Sequence, residues 1–206
     1  IRNPLMVVRL LFDSLELSED ANPHQAKDLS IIREKLNHLD QIAGRILDFG
    51  KSREAFRVHC KLGEILRDAA LLVRLKLDQS RVSLTMNEQG FESVVFVDKG
   101  QIQQALLNLI LNALGAMPEG GHLTLETSAE DERWVRVLVK DTGKGIPEEF
   151  KSRIFDSFLT ARVGGTGLGL TISKRIMRAH DGDLELMEST KQGTVFRLSL
   201  PIAQDR

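Results

Sequence analysis

Asn108 and Asn112 stand four residues apart within "NLILNA", which places both carboxamides on one side of a helix. Burying them amid Leu107, Leu109, Ile110 and Leu111 is expensive unless they find partners. An amide oxygen is a neutral, hard ligand, suited to completing the shell of a Mg²⁺ ion already held by phosphates. The plain alternative is a pair of asparagines facing solvent. Farther along, "DTGKGIP" puts Asp141 at the exit of a strand, followed by Gly143 and Gly145. Glycines at that spacing let the backbone turn tightly and let a ligand approach it closely. A buried carboxylate there can accept a hydrogen bond from the exocyclic amine of a purine. As plain structure, the stretch is an ordinary Asp-Thr-Gly turn.

A third stretch, "GGTGLGL" from Gly164 to Leu170, leads straight into a helix. Exposed backbone N–H groups and the positive end of the helix dipole make a site for phosphate oxygens. No G-K-[ST] follows, so this is not a Walker loop, and no strand runs directly into it as a dinucleotide fingerprint requires. Otherwise it is a flexible glycine-rich loop. Just ahead, "FDSFLTARVGGTG" carries Phe155 and Phe158, with Arg162 between them and the glycines. Aromatics can anchor the base of a mobile segment, and a cation within it can reach a terminal phosphate. The common fate of such phenylalanines is core packing. Gly193 and Thr194 head the last strand, in "QGTVF".

These residues need a frame to hold them. After Pro4, Leu5, Val8, Phe12 and Leu15 fall at the spacing of one helix face. "SEDANP" interrupts, and Pro23 sits at the first turn of a second helix with Asn22 as its N-cap. That helix carries Leu29, Ile32, Leu36, Leu39, Ile42, Ile46 and Phe49, and Gly50 ends it. The stripe is too long and one-sided for a single partner helix, so two hairpins are expected to pair in a four-helix bundle. A hairpin packed on its own globular domain is the other reading. From Lys51 the pattern turns to mixed α and β. "KLGEILRDAALLVRLKL" reads as a helix, "RVSLTMN" and "SVVFV" as strands, the second buried, and Asp98 caps "KGQIQQALLNLILNALGAM". "HLTLETS" and "WVRVLVK" follow as strands, then the helix "LGLTISKRIMRAH" and the closing hairpin "DLELMES"–"TVFRLSL". The expected class is α+β: a helical hairpin over 1–50, then an α/β sandwich over 51–206 with helices on one face of a mixed sheet.

Composition sets the outer bounds. The chain has 206 residues, 42% of them hydrophobic, enough for one or two domains with a real core. A net charge of −1 does not suggest nucleic-acid binding or a polybasic membrane anchor. Cys60 is the one cysteine, so no internal disulfide can form, which fits a reducing compartment. No stretch approaches the ~18–20 uninterrupted apolar residues of a membrane span, and no signal peptide is visible. The fragment is expected to be soluble and to make no membrane contact itself, with room for a spanning part upstream.

In order and spacing, the four stretches resemble the sensor histidine kinases of two-component systems. "NLILNA" looks like their N box, "DTGKGIP" their first glycine box, "IFDSFLT" their F box and "GGTGLGL" their second glycine box. The resemblance implies a dimerisation and histidine-phosphotransfer hairpin over 1–50 and a Bergerat (GHKL) ATP-binding domain, as in gyrase, Hsp90 and MutL, over 51–206. The short loop between F box and glycines is similar to the nitrogen-regulatory type. By the same resemblance Asp141 reads the adenine amino group, with Thr194 helping through water. Asn112 is the Mg²⁺ ligand, and Asn108 lines the phosphate site. Gly143 and Gly145 border the adenine pocket. Gly165, Thr166, Gly167, Leu168 and Gly169 cradle the phosphates, and Arg162 is a lid cation near the γ-phosphate. Hydrolases of the wider superfamily carry a glutamate where this chain has Asn108, so ATP should be held for transfer rather than hydrolysed.

The opening "IRNPL" is similar to the tail of the family's H box, "HEIRNPL", which implies a phospho-accepting histidine two residues before Ile1. Asn3 then stands one turn past it, at the position that orients water for dephosphorylating the response regulator. His24, His38, His59, His122 and His180 match no motif position and read as solvated or structural residues. The expectation is thus a cytoplasmic, homodimeric kinase core using ATP and Mg²⁺, with a response-regulator receiver domain as partner and no nucleic acid. A non-catalytic ATP-binding scaffold is the alternative.

Overall fold

Leu62, Ile65, Leu66, Ala69, Val73 and Leu77 recur at helical spacing, and they form the buried stripe of the helix α1, Leu62–Gln79. The computed structural model describes residues 32, 55–129, 132–160 and 167–204. The expected hairpin over 1–50, its apolar stripe save Ile32, and the boundary at Lys51 lie outside those residues. In chain order the described elements are β1 (Val58–Lys61), α1, β2 (Val82–Asn87), β3 (Val94–Val97), α2 (Lys99–Ala116), β4 (Gly121–Ala129) and β5 (Trp134–Asp141). A one-turn α3 (Glu148–Lys151), α4 (Gly169–Ala179), β6 (Asp183–Thr190) and β7 (Gly193–Pro201) complete them. None of the described helices is long and apolar enough to cross a membrane.

Five strands form the main sheet in the order β2-β4-β5-β7-β6. β2 and β4 run parallel, and every other neighbour is antiparallel, so the sheet is mixed as expected. Alternation sends Leu123 and Leu125, Val135, Val137 and Val139, and Phe196, Leu198 and Leu200 into the core beneath the helices. The opposite face carries charge: Arg197 pairs with Glu185 directly across the β6–β7 ladder, and Lys140 pairs with Glu126. Solvated pairs of this kind add only about 0–1 kcal/mol each.

β3 departs from the sequence reading. It stays out of the main sheet and pairs antiparallel with β1 as a separate ribbon. Only Val95 and Val97 are buried, while Val94 and Phe96 face outward. "VHCK" is too short to show a period, so β1 was not legible, and β3 without its partner reads as fully buried.

The geometry that matters most is the seam between α2 and α4. Asp98 at the start of α2 meets His180 at the end of α4, Ala105 meets Ser173, and Asn108 meets Gly169. The helices therefore run antiparallel with a fixed register. As expected, Asp98 is the N-cap of α2: its Oδ1 accepts the Gln101 N–H at 3.1 Å.

Candidate functional site

α4 opens directly after the glycine stretch, and its first turn lies against α2. Asn108 Nδ2 donates to the Gly169 carbonyl at 3.4 Å and to Ser173 Oγ at 3.3 Å. Ser173 is fully buried (0% exposed) and its hydroxyl bonds the Gly169 carbonyl at 3.0 Å. Asn108 is thus tied to the start of the glycine-led helix, which holds one carboxamide at the N-terminus of α4. A Cβ on Gly169 would come no nearer than 3.8 Å to Asn108, so this glycine faces the asparagine across ordinary contact distance. Asn112 lies one turn further along α2 and is half-buried.

The C-terminal end of α2 also holds the Asp141 turn. Lys144 N–H donates to the Ala116 carbonyl at 3.2 Å, and a Cβ on Gly143 would stand 2.7 Å from the Ala116 Cβ. Only glycine lets this loop lie so close to the helix. Gly145 has φ +72°, and a Cβ there would fall 1.9 Å from the Thr190 carbonyl oxygen. Asp141 ends β5 opposite Thr194 of β7, and its Oδ1 accepts the Gly143 N–H at 2.8 Å. Burial pushes the Asp141 carboxyl above the ordinary aspartate range, against the opposing pull of the Gly143 and Thr194 backbone N–H groups. Thr194 is 3% exposed, and its hydroxyl meets Ser189 Oγ at 3.2 Å. Ser189 Oγ in turn accepts the Ile146 N–H at 2.8 Å, closing the loop onto β6. Ser189 was missed by sequence reasoning because its partners are distant in the chain.

Between the two lies the aromatic segment. Phe155 is half-buried under Lys174, whose Nζ sits 4.9 Å from the ring centroid, and its carbonyl accepts the Thr171 hydroxyl at 2.9 Å. Lys174 also pairs with Asp183 at 2.7 Å. Phe155 therefore packs as an anchor on α4. Phe158 does not: it is 65% exposed at φ +67°, and its N–H donates to the Gly167 carbonyl at 3.0 Å. Gly167 has φ +64°, and a Cβ would fall 2.4 Å from the Phe158 carbonyl carbon. Leu168 is buried beneath the start of α4. Arg162, Gly165 and Thr166, like Asn3, lie outside the described residues.

Asn108 and Asn112 stand one turn apart on the C-terminal half of α2, whose end at Ala116 carries the Gly143 loop beside Asp141, while Gly167 and Leu168 lead into Gly169 at the facing helix start. The donor set suits a purine nucleotide. It offers a carboxylate for an amine, glycines that keep the backbone bare, a helix N-terminus for phosphate, and neutral amide oxygens for a metal that phosphates share. Ser173 was not predicted. Its signal was a polar residue on the apolar face that Ile172, Ile176 and Met177 define in α4.

Comparison with known proteins gives a consistent result. The family described as histidine kinase-, DNA gyrase B-, and HSP90-like ATPases matches residues 97–204. The His Kinase A (phospho-acceptor) domain matches residues 1–55. The chain is 28% identical over 202 residues to the signal transduction histidine-protein kinase AtoS of Escherichia coli K12, covering 98% of this chain and 33% of AtoS. It therefore spans about a third of the length of such curated relatives. Full-length ShkA in complex with AMPPNP superposes with a TM-score of 0.83 at 27% identity, covering 99% of this chain and 44% of ShkA. Histidine kinase ThkA in complex with the response regulator protein TrrA superposes with a TM-score of 0.74 at 28% identity, over 98% and 58% of the two chains.

Proposed function

This chain belongs to the histidine kinase-, DNA gyrase B-, and HSP90-like ATPases, on their sensor histidine kinase branch, and from that premise we propose that it is the catalytic core of a two-component kinase. The core binds Mg·ATP, passes the γ-phosphoryl to a histidine, and from there to an aspartate of a response-regulator receiver domain. The observation that carries this reading is Asp141, a half-buried carboxylate at a strand end beside glycines that no other residue can replace. The fold it shares with nucleotide-bound ShkA and with ThkA bound to TrrA supports both ligand and partner.

In this reading Asp141 accepts the adenine amine, with Thr194 beside it. Gly143 and Gly145 border the ring, and Gly167, Leu168 and Gly169 present backbone to the phosphates. Gly165, Thr166 and Arg162 extend that cradle. Asn112 would hold Mg²⁺ together with the phosphates, where the ion would supply positive charge to offset that on the phosphoryl group. Asn108 lines the phosphates and supplies no base for water. The imidazole nitrogen of the acceptor, which the H-box resemblance puts two residues ahead of Ile1, attacks the γ-phosphorus, and ADP leaves with the electron pair of the broken P–O bond. Asn3 orients water for the reverse, dephosphorylating role. Residues 1–50 form the dimerising hairpin and 51–206 the ATP-binding domain, working in the cytoplasm. The direct test is calorimetry of ATP with and without Mg²⁺, alongside a phosphate-release assay. Mg²⁺-dependent binding with negligible release is expected; rapid hydrolysis would place the chain with the gyrase-type ATPases instead.

Binding should respond to pH through Asp141. As pH falls through its raised pKa the acceptor is protonated, so ATP affinity drops at a higher pH than for an ordinary aspartate near 3.8. Its contribution to the nucleotide-free fold has the opposite sign. The folded state holds this proton more tightly than the unfolded chain, so that contribution is present at low pH and lost as pH rises through the folded pKa. Calorimetry across pH against Asp141→Asn, which removes the titration, isolates the effect; parallel profiles would exclude Asp141.

The apolar stripe on residues 29–49 should carry the homodimer. Leu36→Asp with Leu39→Asp is expected to give monomers that still bind ATP, seen by analytical ultracentrifugation. A wild-type chain that is monomeric at micromolar concentration would contradict this.

A further inference from the structure

The α2–α4 seam is clipped at both ends, and only one end touches the proposed nucleotide site. At the near end lie the Asn108, Gly169 and Ser173 hydrogen bonds. At the far end His180, 1% exposed, accepts the Asp98 N–H at Nε2 (3.0 Å), while its Nδ1 meets the Ile176 carbonyl at 2.8 Å. A carbonyl can only accept and an amide N–H only donates, so the ring carries its proton on Nδ1. Asp98 has a second duty there: its Oδ2 accepts the Phe56 N–H at 3.1 Å. The next residue, Arg57, donates to the Ala179 carbonyl at 2.5 Å and to Asp181 at 2.7 Å. Four groups thus lock residues 56–57, the N-cap of α2 and the C-terminus of α4 to one another. Arg57 is the piece that faces two ways, a cation at the negative end of the α4 dipole whose planar fork serves a carbonyl and a carboxylate at once.

We propose that Arg57 and His180 are positioning residues for the nucleotide site, setting from its remote end the register that places Gly169 against Asn108. Asp98 and Asn108 are ten residues apart on one helix, about 15 Å at the α-helical rise, and a packed helix carries a shift at one end to the other. The elements so controlled are those assigned to phosphate. The adenine-facing Asp141 ends β5 and its loop is tied to α2 at Ala116, so a slip of α4 along α2 displaces Gly169 and leaves Asp141 in place. The inference rests on the nucleotide reading above.

The test compares ATP with adenosine binding to the full chain for wild type, Arg57→Ala, Arg57→Lys and Asp181→Asn, well below each melting temperature. Arg57→Ala should weaken Mg·ATP binding about tenfold, leave adenosine affinity within twofold, and speed amide exchange over Gly169–Ser173. Arg57→Lys, able to serve one acceptor at a time, should fall between. Asp181→Asn should be close to wild type, because that carboxylate is 70% exposed and its pairing is weak. A role confined to stability predicts the reverse: a lower melting temperature with the ratio of ATP to adenosine affinity unchanged. That result in Arg57→Ala would overturn the proposal, as would equal weakening of both ligands. If wild type itself bound neither ligand, the nucleotide reading would fall first, so the two failures are told apart.

Discussion

Asp141→Asn should reduce ATP affinity by about 1–3 kcal/mol, a factor of roughly 5–150, while the nucleotide-free protein melts within a few degrees of wild type. The loss follows from chemistry at one atom pair: a charged acceptor for the adenine amine becomes an amide whose NH₂ opposes it. The small effect on the fold follows from the opposing terms around the carboxylate. Burial disfavours its charge, and the Gly143 and Thr194 N–H groups favour it. Asparagine keeps an oxygen for the 2.8 Å bond from Gly143 and removes the buried charge. Calorimetric titration with ATP paired with thermal melts checks both halves. Unchanged affinity would remove Asp141 from the site.

Gly145→Ala should cost the fold about 3 kcal/mol or more, lowering the melting temperature by roughly 6–12 °C, and ATP binding with it. Gly145 occupies the left-handed region at φ +72°, and its Cβ would overlap the Thr190 carbonyl at 1.9 Å. The obstacle is backbone, so no side chain can swing away. Gly169→Ala is the matched control. It sits in the first turn of α4 with 3.8 Å to its nearest neighbour, so a methyl fits and helix propensity improves. Its melting temperature should match or exceed wild type, and any loss of ATP affinity then reports on the phosphate cradle alone. Circular-dichroism melts of the two variants settle the contrast. A Gly145→Ala protein as stable as wild type would show that the loop is not held against β6.

What the sequence made legible was local. Asp98 as an N-cap, Asp141 at a strand exit, and the glycines at 143, 145, 167 and 169 all depend on neighbours within a few positions, where spacing carries the information. The helix that "GGTGLGL" leads into and the mixed sheet followed from periodicity and element order. What stayed hidden depends on the antiparallel register of α2 and α4. His180 finds Asp98 across 82 positions, and Asn108 finds Ser173 across 65. A histidine beside "DGD" and a serine in "TISK" say nothing of such partners until the seam exists. Ser189 and Arg57 are the same kind of case. Phe158 shows the converse failure: an aromatic beside a glycine stretch reads as core, yet its φ of +67° and bond to Gly167 turn it outward.

The most direct measurement of the central claim is phosphoryl transfer itself. The chain extended upstream, so that His-Glu and a few helix-continuing residues precede Ile1, is incubated with Mg²⁺ and ATP labelled at the γ-phosphate. The label should appear on protein as an acid-labile phosphohistidine, map by mass spectrometry to the residue two positions ahead of Ile1, and vanish in Asp141→Asn. An extended chain that binds Mg·ATP and dimerises but stays unlabelled would contradict the account and leave an ATP-binding scaffold in its place.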